Sequence, residues 1–482
     1  MNKRFNNWRS LIATRRSFIA TRQSFIAAWR GLVAAIGILL VVNTQAQQNP
    51  PAMPARQASS AEPVIHSLSV KEAIDYAAKN SVYVKNALLD YLIQQQSNRA
   101  TTSQALPQIT GVLGITDNIQ IPTTLIPGEF INQPGTFVPL KFGTQYNTNG
   151  GVTLKQVLFD GQVFVGLQAR QASLDFYQKK QEVTEQMLRA NIYKICYELL
   201  ISKTQIDQID ANIANQQELL HNSTAMFKSG FAEQLDVDKA TVQLSNLESE
   251  KIQTEFTIAN GYLGLKVLLG MPIRDSIVLT DTLTYEMVRD ATLSDDYKYT
   301  DRRDFQLMQI SKKLGEFNVK QYRKMYIPTA SLTANYSQNQ YVNTFDLTQR
   351  NSWFASSYVG LNINIPIFDG FYKDANIKQA KFKLQQTMNN MDSLKIRIDN
   401  DVKEAQLRFT ASLATLDYQK KNMDLSERVY EQTRKKYEQG LGSNTEITQA
   451  LTDQKTAQAN YFNALYNAIT ARVDYLNSIG KL

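Results

Sequence analysis

One cysteine and two histidines in 482 residues leave little material for thiol or metal chemistry. Cys196 has no second cysteine in the chain to bond, and His66 and His221 are too few and too far apart in sequence to suggest a zinc site. Glycine (21) and proline (12) fall far short of collagen-like or low-complexity levels, and 20% charged with 43% hydrophobic residues excludes a disordered chain and a polytopic helical membrane protein. No Gly-rich phosphate loop is present, and no Ser or Cys stands as a nucleophile in a strand-turn-helix setting. Carboxylates are numerous but lie mostly on heptad-patterned helices, where a solvated face is the default. The sequence thus predicts no catalytic residue, no cofactor and no metal.

The net charge of +8 does not indicate nucleic acid, because seven of those charges (Lys3, Arg4, Arg9, Arg15, Arg16, Arg22, Arg30) sit in residues 1–46 with no acid among them. That segment reads as a signal peptide: a basic start, the apolar run Gly31 to Val42, and Thr44-Gln45-Ala46 as a cleavage site before Gln47. The run is nearer the ~12 residues of a signal core than the ~20 of a span. A Pro- and Gln-rich linker covers 47–68.

From Ser69 the chain runs one programme twice. In repeat 1 (69–270), Ser69 and Glu72 form a capping-box pair, and helical spacing continues to about Ala105, where Leu106-Pro107 stops it. Alternating sequence then predicts strands at about 108–117 and 146–159, with Pro122 to Gly143 between them as a loop. After Phe159-Asp160-Gly161 a helix extends to Lys228, with Ile192, Leu199, Ile206, Ile213 and Leu220 at sevens and Leu188, Ile195 and Ile209 at the alternate seam position. A hairpin tip at about 228–234 turns the chain back toward Gly270. A connecting segment (271–300) leads to repeat 2 (301–482), with Ile327-Pro328, strands at about 329–341 and 353–366, Phe368-Asp369-Gly370, and a long helix. That helix places Val402, Phe409, Leu416, Met423, Tyr430 and Tyr437 at sevens before a tip at about 438–444. Gly230 and Gly440, Ala240 and Ala450, and Gly270 and Gly480 keep one constant offset, which marks an internal duplication.

Four strands per chain are too few to close a barrel, and Asn147, Thr148 and Asn149 do not suit a sandwich core. Strands that are apolar on one side and polar on the other fit a sheet with lipid outside and water inside. Three chains would close twelve strands into a barrel above a cylinder of helices. The order of these elements, the paired Phe-Asp-Gly turns, and the tip segments 227–237 and 437–447 resemble the TolC family of outer-membrane efflux proteins over nearly the whole mature chain. The resemblance implies an α+β fold of two repeats, each with long coiled-coil helices and two membrane strands, assembled as a homotrimer with a 12-stranded β-barrel and a periplasmic α-helical barrel. It further implies an outer-membrane channel whose tips dock a periplasmic adaptor (membrane fusion) protein attached to an inner-membrane pump, with outer-membrane lipid around the barrel and no nucleic acid. A periplasmic coiled-coil adaptor without its own pore is the alternative; four amphipathic strands favour the duct.

On that resemblance, Asp236, Tyr437 and Glu446 match the family's periplasmic gate positions, and Gly230, Phe231, Gly440 and Leu441 its adaptor-contacting tips. Tyr437 is equally the last seam residue of its helix, and Ser443-x-x-Glu446 is equally a capping box. Gly442 and Gln449 depart from the family pattern, where a basic and an acidic residue stand. An acid-to-Arg latch at that position is therefore not expected.

Overall fold

The computed structural model describes residues 64–131, 134–282 and 296–482; the expected signal peptide, most of the expected linker, and residues 283–295 of the expected connecting segment lie outside them. Helix α1 (Val70–Asn80) begins on the Ser69 capping box: the Glu72 N–H donates to Ser69 Oγ at 3.2 Å and the Ser69 N–H to Glu72 Oε2 at 2.8 Å. The helix does not continue unbroken to residue 105. Ser81 is extended (ψ 134°), and α2 (Val82–Ser103) restarts beyond it. At the break the backbone of Asn80 and Ser81 lies directly against Gly270. Beside α1, β1 (Ile65–Leu68) pairs in parallel with β6 (Ser276–Leu279).

The larger sheet takes β2 (Gln108–Asp117) and β5 (Tyr146–Phe159) from the first repeat, and β7 (Thr329–Val342) and β8 (Trp353–Asn364) from the second, in the order β2-β5-β7-β8. Every neighbouring pair is antiparallel. The register aligns Ile109, Leu154, Ala334 and Val359 across one face, and Thr110, Thr153, Asn335 and Tyr358 across the other. The two faces therefore differ in chemistry from edge to edge. Among the described residues no strand lies beside the outer edges of β2 and β8.

The 122–143 stretch is not merely a loop. It holds β3 (Thr123–Pro127) and β4 (Phe137–Lys141), paired antiparallel. Its prolines conceal the strands from a sequence reading, but each strand of a two-stranded ribbon has a free edge where a missing N–H costs nothing.

Helices α3 (Gly161–Lys228, 68 residues) and α6 (Tyr372–Glu438, 67 residues) run from the sheet for about 100 Å at ~1.5 Å per residue. Nearer the sheet α3 packs against α2 and α5 (Arg303–Arg323), and α6 against α5; farther away α4 (Gln234–Leu269) packs on α3 and α7 (Asn444–Ser478) on α6, with α3 and α7 in contact. Core residues collect in separate clusters along this length. One gathers α1 with Ile192, Cys196, Leu199, Leu265 and Leu269, and its counterpart in repeat 2 gathers Phe305, Ile398, Val402, Tyr475 and Ile479.

The seam of α6 is the one its heptads predict, with Val402, Phe409, Leu416, Tyr430 and Tyr437 buried and Met423 half-buried. In the lower part of α3 the seam is shifted. Ile206, Ile213 and Leu220 are only half-buried, while Ile209, Asn212, Gln216, Leu219 and Ser223 are buried. Three of those five are polar, so a search for apolar residues at sevens selects the neighbouring face.

Candidate functional site: the paired hairpin tips

Both long helices end in the same hydrogen-bonded turn. At the first tip the Phe231 N–H donates to Met226 O and the Gly230 N–H to Phe227 O; at the second, Leu441 to Lys436 O and Gly440 to Tyr437 O. This double closure requires a left-handed residue, and Gly230 (φ 78°) and Gly440 (φ 73°) supply it without a Cβ penalty. The turn leaves the next side chain outside: Phe231 is 82% exposed and Leu441 78%. All four residues expected at the tips thus lie at matching points of two equivalent turns.

The three expected gate residues are not brought into one cluster. Tyr437 is buried among Leu219, Tyr430, Ile447, Ala450 and Leu451, and its hydroxyl meets Ser223 Oγ at 3.1 Å. Asp236 instead closes a capping box with Glu233, accepting from the Glu233 N–H at 3.3 Å. Glu446 is exposed at the first turn of α7, where its N–H donates to Ser443 Oγ at 3.2 Å. Among the described residues neither Asp236 nor Glu446 forms an ion pair. The two tips are joined by a bond that ignores the Asp236 side chain, from Asn444 Nδ2 to the Asp236 carbonyl at 3.1 Å.

A basic residue does link the hairpins, about one turn before Tyr437 on α6 and not at position 442. Arg434 of α6 donates to Asn215 Oδ1 on α3 at 3.1 Å and lies 3.6 Å from Glu218 and 3.1 Å from Glu438. Ser223, Arg434 and Asn444 were not singled out in the sequence. The available signal was Arg434 standing three residues before Tyr437, close to its face of the helix, with Ser223 seven residues after Gln216 on the polar seam. Nearby, burial pushes the Tyr430 phenol up, opposed by the Arg434 charge, and its hydroxyl has no hydrogen-bond partner among the described residues.

At the sheet end the two Phe-Asp-Gly turns are not copies. Asp160 caps α3 by accepting from the Gln162 and Val163 N–H groups at 2.7 and 3.3 Å; Gly161 is required there by closeness, since a Cβ would stand 2.9 Å from Lys324 Cβ. In repeat 2 both Gly370 (φ 62°) and Phe371 (φ 66°) are left-handed, and Asp369 accepts from the Lys373 N–H and pairs with its ammonium at 3.5 Å. The same letters thus serve a close approach in one repeat and a reversed backbone in the other.

Among the described residues no group of three or more His, Cys, Asp or Glu could hold a metal ion. No helix there is long and apolar enough to cross a membrane.

The family model described as outer membrane efflux protein matches residues 300–481, which is the second repeat. The outer membrane protein TolC of Vibrio cholerae serotype O1 is 19% identical over 337 residues, spanning 69% of this chain and 77% of that protein. The proteases secretion protein PrtF of Dickeya chrysanthemi is 22% identical over 247 residues, spanning 50% of this chain and 53% of that protein. The crystal structure of the channel protein CusC superposes with a TM-score of 0.69 at 17% identity, covering 89% of this chain and 97% of that one. The outer membrane efflux protein pattern thus falls on the second repeat, and over its described residues the chain shares the fold of CusC.

Proposed function

We propose that three copies of this chain form the outer-membrane conduit of a tripartite efflux or secretion system, receiving cargo from an inner-membrane pump through a periplasmic adaptor. The observation that carries the proposal is the four-stranded sheet: apolar on one face, polar on the other, and open at both β2 and β8. Open edges do not persist in lipid, where an unpaired backbone group costs several kcal/mol. Joining β8 of one chain to β2 of the next removes every edge, and four strands from each of three chains give a twelve-stranded barrel.

The helices support the same closure. Helix α4 carries exposed Val242, Ile252, Phe256 and Val267, and α6 carries exposed Ile396, Leu407, Tyr418 and Leu425. Two different apolar stripes on two different helices suit a head-to-tail ring better than a self-complementary dimer. In this arrangement the helices cross the periplasm, and the tips around Gly230, Phe231, Gly440 and Leu441 face the adaptor. The gate rests on Tyr437 and Ser223, with Arg434 linking the hairpins; Asp236 and Glu446 place acids near the threefold axis. The conduit does no catalysis.

Native mass spectrometry of the chain extracted in mild detergent tests this reading. A trimer is the expected species, and a dominant monomer overturns the twelve-strand barrel.

A further inference from the structure

We propose that Lys155 is a charge-selecting residue of the barrel wall, forming a ring of three ammonium groups at the helix end of the lumen that favours anionic over cationic cargo. The inference rests on the conduit reading above. Its basis is how little charge the strands carry. Of the residues in β2, β5, β7 and β8, only Asp117 and Lys155 are charged. Asp117 is the last residue of β2, at the end of the sheet remote from the helices, and it accepts from Gln145 Nε2 at 3.3 Å. Its pairing with Tyr146 puts it on the same face as Ile109 and Ile115.

Lys155 lies on the opposite, polar face. It pairs with Gln108, the first residue of β2, and with Thr333 of β7, so it stands where the sheet meets the helices. Its surroundings on that face are neutral amides and hydroxyls bonded to one another: Asn335 Nδ2 to Thr153 Oγ1 at 2.8 Å, and Asn362 Nδ2 to Thr333 Oγ1 at 3.1 Å. Lys155 is exposed and makes no ion pair among the described residues. A lysine left unpaired on a neutral wall acts over a distance set only by solvent screening, about 10 Å at 0.1 M salt. It also opposes the sign of Asp236 and Glu446 at the far end of the helices, so cargo meets acids first and amines second.

The test uses the full chain in outer-membrane vesicles with Thr333→Cys as a reporter beside Lys155. Cys196 is fully buried and silent in the folded protein, so the new thiol is the one that reacts. Methanethiosulfonate reagents bearing a sulfonate or a trimethylammonium group are compared by rate at 0.1 M salt. A unit charge ~6 Å away in water, screened at that salt, changes each rate about twofold in opposite directions, so Lys155→Gln should lower the sulfonate-to-ammonium ratio about fourfold. Lys155→Glu should lower it about fifteenfold, and Lys155→Arg should preserve it. Reaction at position 333 with an unchanged ratio across this series overturns the role of Lys155 and leaves the conduit standing. No reaction at Thr333→Cys, with reaction at Ala334→Cys on the apolar face, overturns the assignment of the water-filled wall and the conduit with it.

Discussion

Removing the Tyr437 hydroxyl is expected to open the periplasmic end while leaving the fold intact. The ring of Tyr437 packs in the tip cluster, and Tyr437→Phe keeps that packing while deleting the 3.1 Å contact with Ser223. Both groups are buried, so the loss combines a net hydrogen bond of about 1 kcal/mol with part of the 1–3 kcal/mol cost of an unpaired Ser223 hydroxyl. About 1–2 kcal/mol per chain shifts a closed-to-open ratio roughly tenfold if each tip moves alone. If three tips move together the total is about 3–6 kcal/mol, and the shift exceeds a hundredfold. Arg434→Gln weakens the neighbouring link, but the Arg434 side chain is 30% exposed and its pairs with Glu218 and Glu438 are solvent-screened, so about 1 kcal/mol is expected. Resting conductance in planar bilayers reads these changes. The double variant Ser223→Ala with Tyr437→Phe supplies the internal control: with both polar partners gone no buried hydroxyl is orphaned, and it should conduct less at rest than Tyr437→Phe alone. Unchanged resting conductance in Tyr437→Phe and Arg434→Gln, with opening in Asp236→Asn, would refute this account and return the latch to the acids.

Asp236→Asn should instead leave resting conductance near wild type and reduce cation preference, read as a shift in reversal potential across a salt gradient; an unmoved potential removes Asp236 from the lumen. Phe231→Asp and Leu441→Asp should each weaken adaptor cross-linking at least tenfold without disturbing the trimer, because a charge placed at an apolar contact loses both burial and solvation; undiminished cross-linking puts the docking surface elsewhere. Burial, reinforced by Asp281, pushes the Cys196 thiol up from 9.0 to about 12, so it should not react with disulfide reagents at pH 8 until the chain is unfolded. The unfolded thiol ionises above pH 9 and the buried one does not, so this group should cost about 1.4 kcal/mol of stability per pH unit between 9 and about 12 and nothing below 9, measured as the difference in urea midpoint between the chain and Cys196→Ala across that range.

What the sequence revealed and what it concealed follow from the same physics. Strand alternation is a local signal, and the glycines at 230 and 440 announce the tips because few other residues adopt a positive φ there. The break at Ser81 has no proline or glycine to mark it, and the backbone packed against it is that of Gly270, nearly two hundred residues away. Ribbon β3-β4 was hidden by prolines that are harmful in a wide sheet and harmless in a two-stranded one. At the tips, matching motifs supply positions without partners. Tyr437 could be named, but Ser223 could not, because a serine facing the core of a coiled coil looks in sequence like a serine facing water. Arg434 was overlooked for a related reason, as one basic residue among several on a charged helix.

The polar seam that misled the heptad count also bears on where a gate in these helices yields. Between the cluster around Leu416, Phe462 and Leu465 and the tip cluster around Tyr430 and Tyr437 lies a layer of buried amides. Asn212 Nδ2 donates to Gln458 Oε1 at 2.8 Å and Gln216 Nε2 to the Ala240 carbonyl at 3.0 Å, while the Oε1 atoms of Gln216 and Gln454 have no partner among the described residues. An unpartnered buried oxygen costs about 1–3 kcal/mol that is recovered when water reaches it. Separating the helices at this layer therefore relieves a penalty, whereas parting the larger apolar cluster around α1 exposes Ile192, Leu199, Leu265 and Leu269 at about 1.5–3 kcal/mol for each side chain. Packing is therefore heaviest midway along the long helices, around Ile192 and Leu199, and the amide layer lies between there and the tips. On the proposed conduit, hairpins so built are expected to part first on the tip side of residues 212 and 458 and to keep their register toward the sheet.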